Sequence, residues 1–423
     1  MSPKTDPYNT AVQRRIDVVL CAVLFAILAI VLSSSAQAGS NSWDGGGLNG
    51  AWSNAVNWNG DTIVPGSTSG ISSADIATFA VNINTNVTVD AYRNLKFVTF
   101  NAGAGAFTFS GGQLALTNAG AITINAGVSA TQTFNTSILL SSTNNSAASF
   151  LNNSTTVGAN LVIGSVTGQQ GNNKTTTLTL GGSNTGSNSV GPISDGSGGG
   201  KVAVAKSGTG TWILSGTNTY TGTTQISGGT LLVNGSTASG SGVTVNNGGT
   251  LGGIGTVGGT VTVASGGTIN AGASGRSGTS ASVGKLTTGA LTLTSGSIFH
   301  VDASGTSTTA WDQVASSGAT LGGSTLQLTI GAGLNFTAGA QYRVIDNTSA
   351  NAISGTFAGI VQGGTYNLSG YNFVASYTGG TGNDFVLTAV PEPGTWAAAA
   401  LSLLFVAFTQ RRRVQARFRQ TKS

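Results

Sequence analysis

The groups able to do acid–base, nucleophilic or metal chemistry are few. The chain of 423 residues has one histidine, His300, and one cysteine, Cys21. His300 lies in Ser297-Ile298-Phe299-His300-Val301-Asp302. Residues two apart on a strand share a face, so His300 and Asp302 point the same way. A hydrolytic triad would have to use this pair, yet no nucleophile-elbow sequence is present. Zinc sites use three or four His, Cys or carboxylate ligands, and one His falls short. Glycoside hydrolysis needs two carboxylates facing each other across a cleft. Between residues 39 and 390 there is no Glu, and the nine Asp stand at 44, 61, 75, 90, 195, 302, 312, 346 and 384. None forms a close pair in sequence, although stacked coils would be able to align distant ones. The expectation is a chain that is not an enzyme, with no catalytic residue, no cofactor, and His300 as a plain strand residue.

One further motif bears on metals. Gly379-Gly380-Thr381-Gly382-Asn383-Asp384-Phe385-Val386-Leu387 fits the calcium-binding nonapeptide pattern. Calcium in such rolls sits between successive turns, and here the pattern occurs once. Asp384 is therefore a weak calcium candidate, and the preferred reading is a glycine turn that closes the body.

The elements that would position these groups follow from composition. The chain has 66 glycines, about twice average usage, and 7% charged residues against about 25% on average. Val, Ile and Thr are abundant and there are six prolines, which suits strands separated by glycine turns rather than disorder. The formal charge of +5 belongs to the ends. Residues 1–38 carry Lys4, Arg14 and Arg15 against Asp6 and Asp17, and residues 391–423 carry five Arg and Lys422 against Glu392. The body between them has eight basic and nine acidic side chains, so it offers nucleic acid no basic face.

Both ends read as sorting segments. Arg14-Arg15 precede an apolar run from Val18 to Leu32, then Ser33-Ser34-Ser35 and Ala36-Gln37-Ala38. This is a signal peptide with an A-x-A site at Ala36 and Ala38, cut by signal peptidase to leave Gly39 first. Its fifteen apolar residues fall short of the ~20 that a spanning helix needs, which favours cleavage over an anchor. Cys21 lies early in that run, away from a lipoprotein position, so the mature body has no cysteine. At the other end come Pro391-Glu392-Pro393, an apolar run from Trp396 to Thr409, and Arg411-Arg412-Arg413. The arginines would stay cytoplasmic and place the body outside, with a short transmembrane helix between. Residues 390–414 resemble the PEP-CTERM sorting signal of bacterial exopolysaccharide-associated proteins. The resemblance implies recognition and processing by an exosortase-like membrane peptidase, with exopolysaccharide as a partner. An ordinary tail anchor is the alternative.

The body is repetitive. Gly-Gly pairs at 228–229, 248–249, 252–253, 258–259 and 266–267 alternate with short runs of period two such as Val243-Thr244-Val245-Asn246 and Thr260-Val261-Thr262-Val263. Strands this short bury an apolar face only when coils stack at about 4.8 Å. Asn125, Asn234, Asn246 and Asn270 recur just after strand residues, where amide ladders form. These demands are met by an all-β, right-handed parallel β-helix (solenoid) body, and an antiparallel sandwich is the runner-up. The segment from Gly208-Thr209-Gly210-Thr211-Trp212-Ile213-Leu214 through Gly228-Gly229-Thr230-Leu231-Leu232-Val233-Asn234-Gly235 resembles the autotransporter-associated β-strand repeat. That resemblance implies a β-helical stalk in a secreted bacterial protein. The tail is helix-type and is not a β-barrel translocator, so self-translocation is not implied.

The organisation expected is a signal peptide over 1–38, an N-terminal solenoid region with a Trp-rich cap over 39–205, and a repeat-bearing solenoid over 206–300. A C-terminal β region and cap over 301–389 and the sorting tail over 390–423 follow. Trp43, Trp52 and Trp58 either cap the first coil or present rings for sugar stacking. The functional expectation is an exported cell-surface or exopolysaccharide-associated structural, adhesin-like protein. The alternative is an extracellular carbohydrate-binding or polysaccharide-degrading β-helix protein.

Overall fold

A computed structural model describes residues 37–141, 145–168, 174–272, 283–331, 333–390 and 401–413. Most of the signal segment, including Ala36, lies outside the described residues, as do Pro391, Glu392 and Pro393.

The alternating sequence winds into stacked parallel coils with three faces. On one face Ile122, Phe150, Leu180, Lys206, Ile226, Val245, Val263 and Leu293 stand in register, one per coil. On the next, Leu231, Leu251, Ile269, Phe299 and Leu326 form a second inward column. The third face aligns Thr237, Val257, Thr288, Ser316 and Asn347. Every strand-to-strand pairing named for these coils is parallel, which sets the sheet type against the antiparallel sandwich. The apolar member of each V-T-V or L-T-L strand is buried and its threonine faces outward. The expected asparagine columns bond between coils. Asn125 Nδ2 donates to Asn101 Oδ1 at 2.7 Å as an amide ladder, whereas Asn246 Nδ2 uses Ser227 Oγ at 3.1 Å. Strands Lys201–Lys206 and Ile298–Ala303 run across the positions where the expected body stretches meet. One hydrophobic core therefore continues through all three.

Two aromatic clusters close the ends of that core. Trp43, Trp52 and Trp58 are fully buried against one another and against Phe79, with ring centroids 5.0–6.1 Å apart. Each indole N–H donates to a backbone carbonyl, those of Ile83, Pro65 and Trp52. Their faces are unavailable to sugars, so these residues form a cap and the stacking alternative is corrected. Phe79, Phe100, Phe109 and Phe134 extend the cluster into the next coils. At the far end the sheet changes direction. Gln341–Asn347 pairs parallel with Gln313–Ser316 and antiparallel with Asp384–Ala389, and Tyr371–Gly379 and Thr365–Leu368 follow antiparallel. Trp311 stacks on Tyr342 at 4.2 Å under this lid.

Two details touch the sorting segments. Gln37–Ala38 pairs in parallel with Ile63–Val64, so removal of residues 1–38 would also remove that short pairing. Residues 401–413 are helical, and the helix runs on through Arg411, Arg412 and Arg413 rather than stopping at Thr409. Leu401, Leu403, Leu404, Phe405, Val406 and Phe408 are exposed on it. Among the described residues no helix is long and apolar enough to cross a membrane. Residues 396–400 lie outside the described residues.

Candidate functional site

Strand Lys201–Lys206 and the singled-out repeat that follows it carry unusual buried polar groups. Val202, Val204 and Lys206 alternate inward along Lys201–Lys206, so Lys206 falls in the core column between Leu180 and Ile226. Its ammonium Nζ donates to the carbonyls of Ser207, Gly208 and Gly228 at 2.8–3.0 Å. Burial pushes this lysine down to about 8, while the three acceptors favour its charge. Trp212 is fully buried and donates through Nε1 to the Gly181 carbonyl at 3.0 Å. The Tyr220 hydroxyl is raised by burial and shares a 2.7 Å hydrogen bond with Thr224 Oγ1. Lys206 and Trp212 tie one coil to the next, and Tyr220 braces its own coil.

The His300 strand holds a second buried polar cluster. His300 and Asp302 do share a face, and the two rungs beside them bring in Asn270 and Thr329. His300 Nε2 lies 2.9 Å from Thr329 Oγ1. The Asn270 orientation that satisfies both amide ends accepts from His300 Nδ1 at 2.8 Å and donates to Asp312 Oδ2 at 3.0 Å. Asp302 Oδ1 lies 3.9 Å from Nδ1 and finds no hydrogen-bond partner among the described residues. Asp312 accepts from the backbone N–H groups of Asp302 and Gly284 at 3.0 and 2.8 Å. Burial pushes the Asp312 carboxyl up to about 8; the two backbone donors oppose this and the nearby Asp302 adds to it. Sequence reasoning missed Asp302 meeting Asp312, because the loop of residues 304–310 must return before the two can meet. His300 is 3% exposed and both carboxylates 1%, so the cluster lies closed off from solvent.

Asp384 is fully buried, and its carboxylate is engaged by the protein. It accepts from the N–H groups of Asn347 and Thr381 at 2.9 and 3.0 Å and lies 3.4 Å from Arg343 Nε. The strands at this turn are antiparallel, so there is no second parallel copy to complete a calcium roll. The calcium candidate is therefore corrected to a turn-pinning carboxylate. Among the described residues no three His, Cys, Asp or Glu side chains gather as a metal site.

Beside that turn opens a cleft of about 530 Å³, lined by Gly284, Lys285, Trp311, Gln313, Gln341 and Arg343 among others. Lys285 Nζ and Arg343 Nη1 both bond Asp346, at 2.9 and 3.1 Å. Burial alone raises the Asp346 carboxyl, but these two cations outweigh it and hold the group below its usual value. The residues come from positions 285, 313 and 341–346, which no local sequence signal joins.

With this geometry in place, the comparisons with known proteins are narrow. No curated protein matches the chain. Residues 204–233 match the passenger-associated-transport-repeat model, which is the coil carrying Lys206, Trp212 and Tyr220. The chain thus contains an autotransporter-associated β-strand repeat within a parallel solenoid.

Proposed function

We propose that the chain is an exported surface protein whose solenoid acts as a structural, adhesin-like spacer. The observation that carries this is the transport-repeat match set in a coil stack with one continuous core. Repeat stacks of this kind present long faces and derive their stability from neighbouring coils. The sequence of the tail supports sorting by an exosortase-like peptidase after signal peptidase has acted, with association to exopolysaccharide. The exposed apolar side chains on helix 401–413 favour contact with lipid, since water disfavours such a patch. The apolar sequence from Trp396 to Thr409 would serve as a short membrane anchor, and the three arginines would hold the cytoplasmic side. In this reading the protein is not an enzyme, consistent with the closed His300 cluster.

Intact-mass measurement on the surface form is the test. A protein that begins at Gly39 and lacks residues 396–423 is expected. Retention of 396–423 in the final surface form would overturn processing of the tail.

A further inference from the structure

The cleft beside the C-terminal cap has a lining unlike the rest of the body. Among the described residues its charged lining consists of Lys285 and Arg343, on a body with more acids than bases. The balancing carboxylates lie behind them. Asp384 is fully buried, and the Asp346 side chain is 17% exposed, against 49% for Lys285 and 38% for Arg343. Lys285 has three donor N–H groups and uses one on Asp346. Arg343 has five and turns Nη1 and Nε toward Asp346 and Asp384. Unspent cationic donors therefore remain at the rim.

The neutral lining adds hydroxyl and amide groups. Thr308, Thr309, Gln313 and Gln341 line the same space, and Gln313 Nε2 is anchored on the Arg343 carbonyl at 3.1 Å. Trp311 lines it too, but is 3% exposed and has one face against Tyr342. No aromatic platform is offered, so a neutral sugar would lose its usual stacking partner. A carboxylate, by contrast, gains charge-assisted bonds from Lys285 and Arg343. The volume falls in the usual range for small-ligand sites, about 300–1,000 Å³.

The geometry points to this cleft as a binding site for an acidic saccharide. The uronate carboxylate sits between Lys285 and Arg343, and the ring hydroxyls meet Gln341, Gln313 and the two threonines. The site deepens the surface reading by naming the class of polymer unit the body would hold, and it rests on that reading only for the setting.

Calorimetric titration of the mature protein with a galacturonate trimer tests it, beside the neutral galactose trimer and inorganic phosphate. The uronate trimer is expected to bind at low salt, with affinity that falls as salt rises. Lys285→Gln should weaken it about tenfold, and Gln341→Ala more modestly. Both positions sit on the rim, and unchanged circular dichroism confirms that each variant folds. Arg343→Gln is avoided because it strands the buried Asp384. No uronate binding, equal binding of the neutral trimer, equal binding of phosphate, or unchanged affinity in Lys285→Gln would each overturn the assignment. The mass measurement on the tail is indifferent to all of these outcomes, so the two proposals fail separately.

Discussion

Unfolding free energy measured against pH is expected to pass through a minimum near pH 8, set by two buried groups of opposite sign. Asp312 is raised from 3.8 to about 8, so between those values the folded state holds a proton that the unfolded chain releases. Stability from this group is fully present below about pH 4 and is lost as pH rises toward 8, by about 1.4 kcal/mol per unit. Lys206 is lowered from 10.5 to about 8, so above pH 8 the unfolded chain holds the extra proton and stability climbs again. The climb is confined to a narrow window. Tyr220, Tyr342 and Tyr377 are raised by burial, and their contribution is lost once the pH passes the usual tyrosine value near 10. Denaturant titrations at intervals from pH 5 to 10 give the profile. Asp312→Asn should flatten the limb below pH 8, and Lys206→Met the limb above it. A profile that stays flat from pH 5 to 8 in the parent chain would show that Asp312 is ionised in the fold.

A methyl group at Gly235 is expected to cost at least about 3 kcal/mol, at the upper end for overpacking. Its Cβ would stand 1.9 Å from the Gly216 carbonyl oxygen of the coil before. The Cβ of Gly255, one coil later, would meet the Gly235 carbonyl at the same distance. A column of glycines at this corner is what lets successive coils approach. Gly248 supplies the comparison, with φ at +80° and open space around it. Gly248→Ala should cost only the strain of a left-handed residue, about 1–2 kcal/mol. Chemical denaturation of both variants at one pH separates the two cases. If Gly235→Ala is no worse than Gly248→Ala, the coils do not pack as closely as the backbone requires.

These two experiments mark what was legible in the sequence. Period-two runs between Gly-Gly pairs pointed to stacked parallel coils, because a strand as short as Val243–Val245 buries its valines only against neighbouring strands. The tryptophans at 43, 52 and 58 disclosed a cap, because an open solenoid end needs large apolar cover. The asparagines at 125, 246 and 270 marked coil corners, although each found a different partner. Lys206 was discoverable from alternation with Val202 and Val204, but a lysine in a core column contradicts ordinary burial preference. Asp302 with Asp312, and Lys285 with Arg343 and Asp346, were out of reach. Coil length varies, with cross-coil bonds spanning 19 residues at Ser227–Asn246 and 30 at Asn270–His300. A fixed period therefore cannot predict which charged residues meet.

The central claim is that the solenoid body stands outside the cell. Apart from Cys21 the chain has no cysteine, so a single Ser239→Cys substitution at an exposed turn gives a unique thiol in the mature body. Intact producing cells are treated with a membrane-impermeant maleimide, and labelling is compared with that after lysis. Equal labelling of position 239 before and after lysis is the predicted result. A thiol that reacts only after lysis would contradict the account.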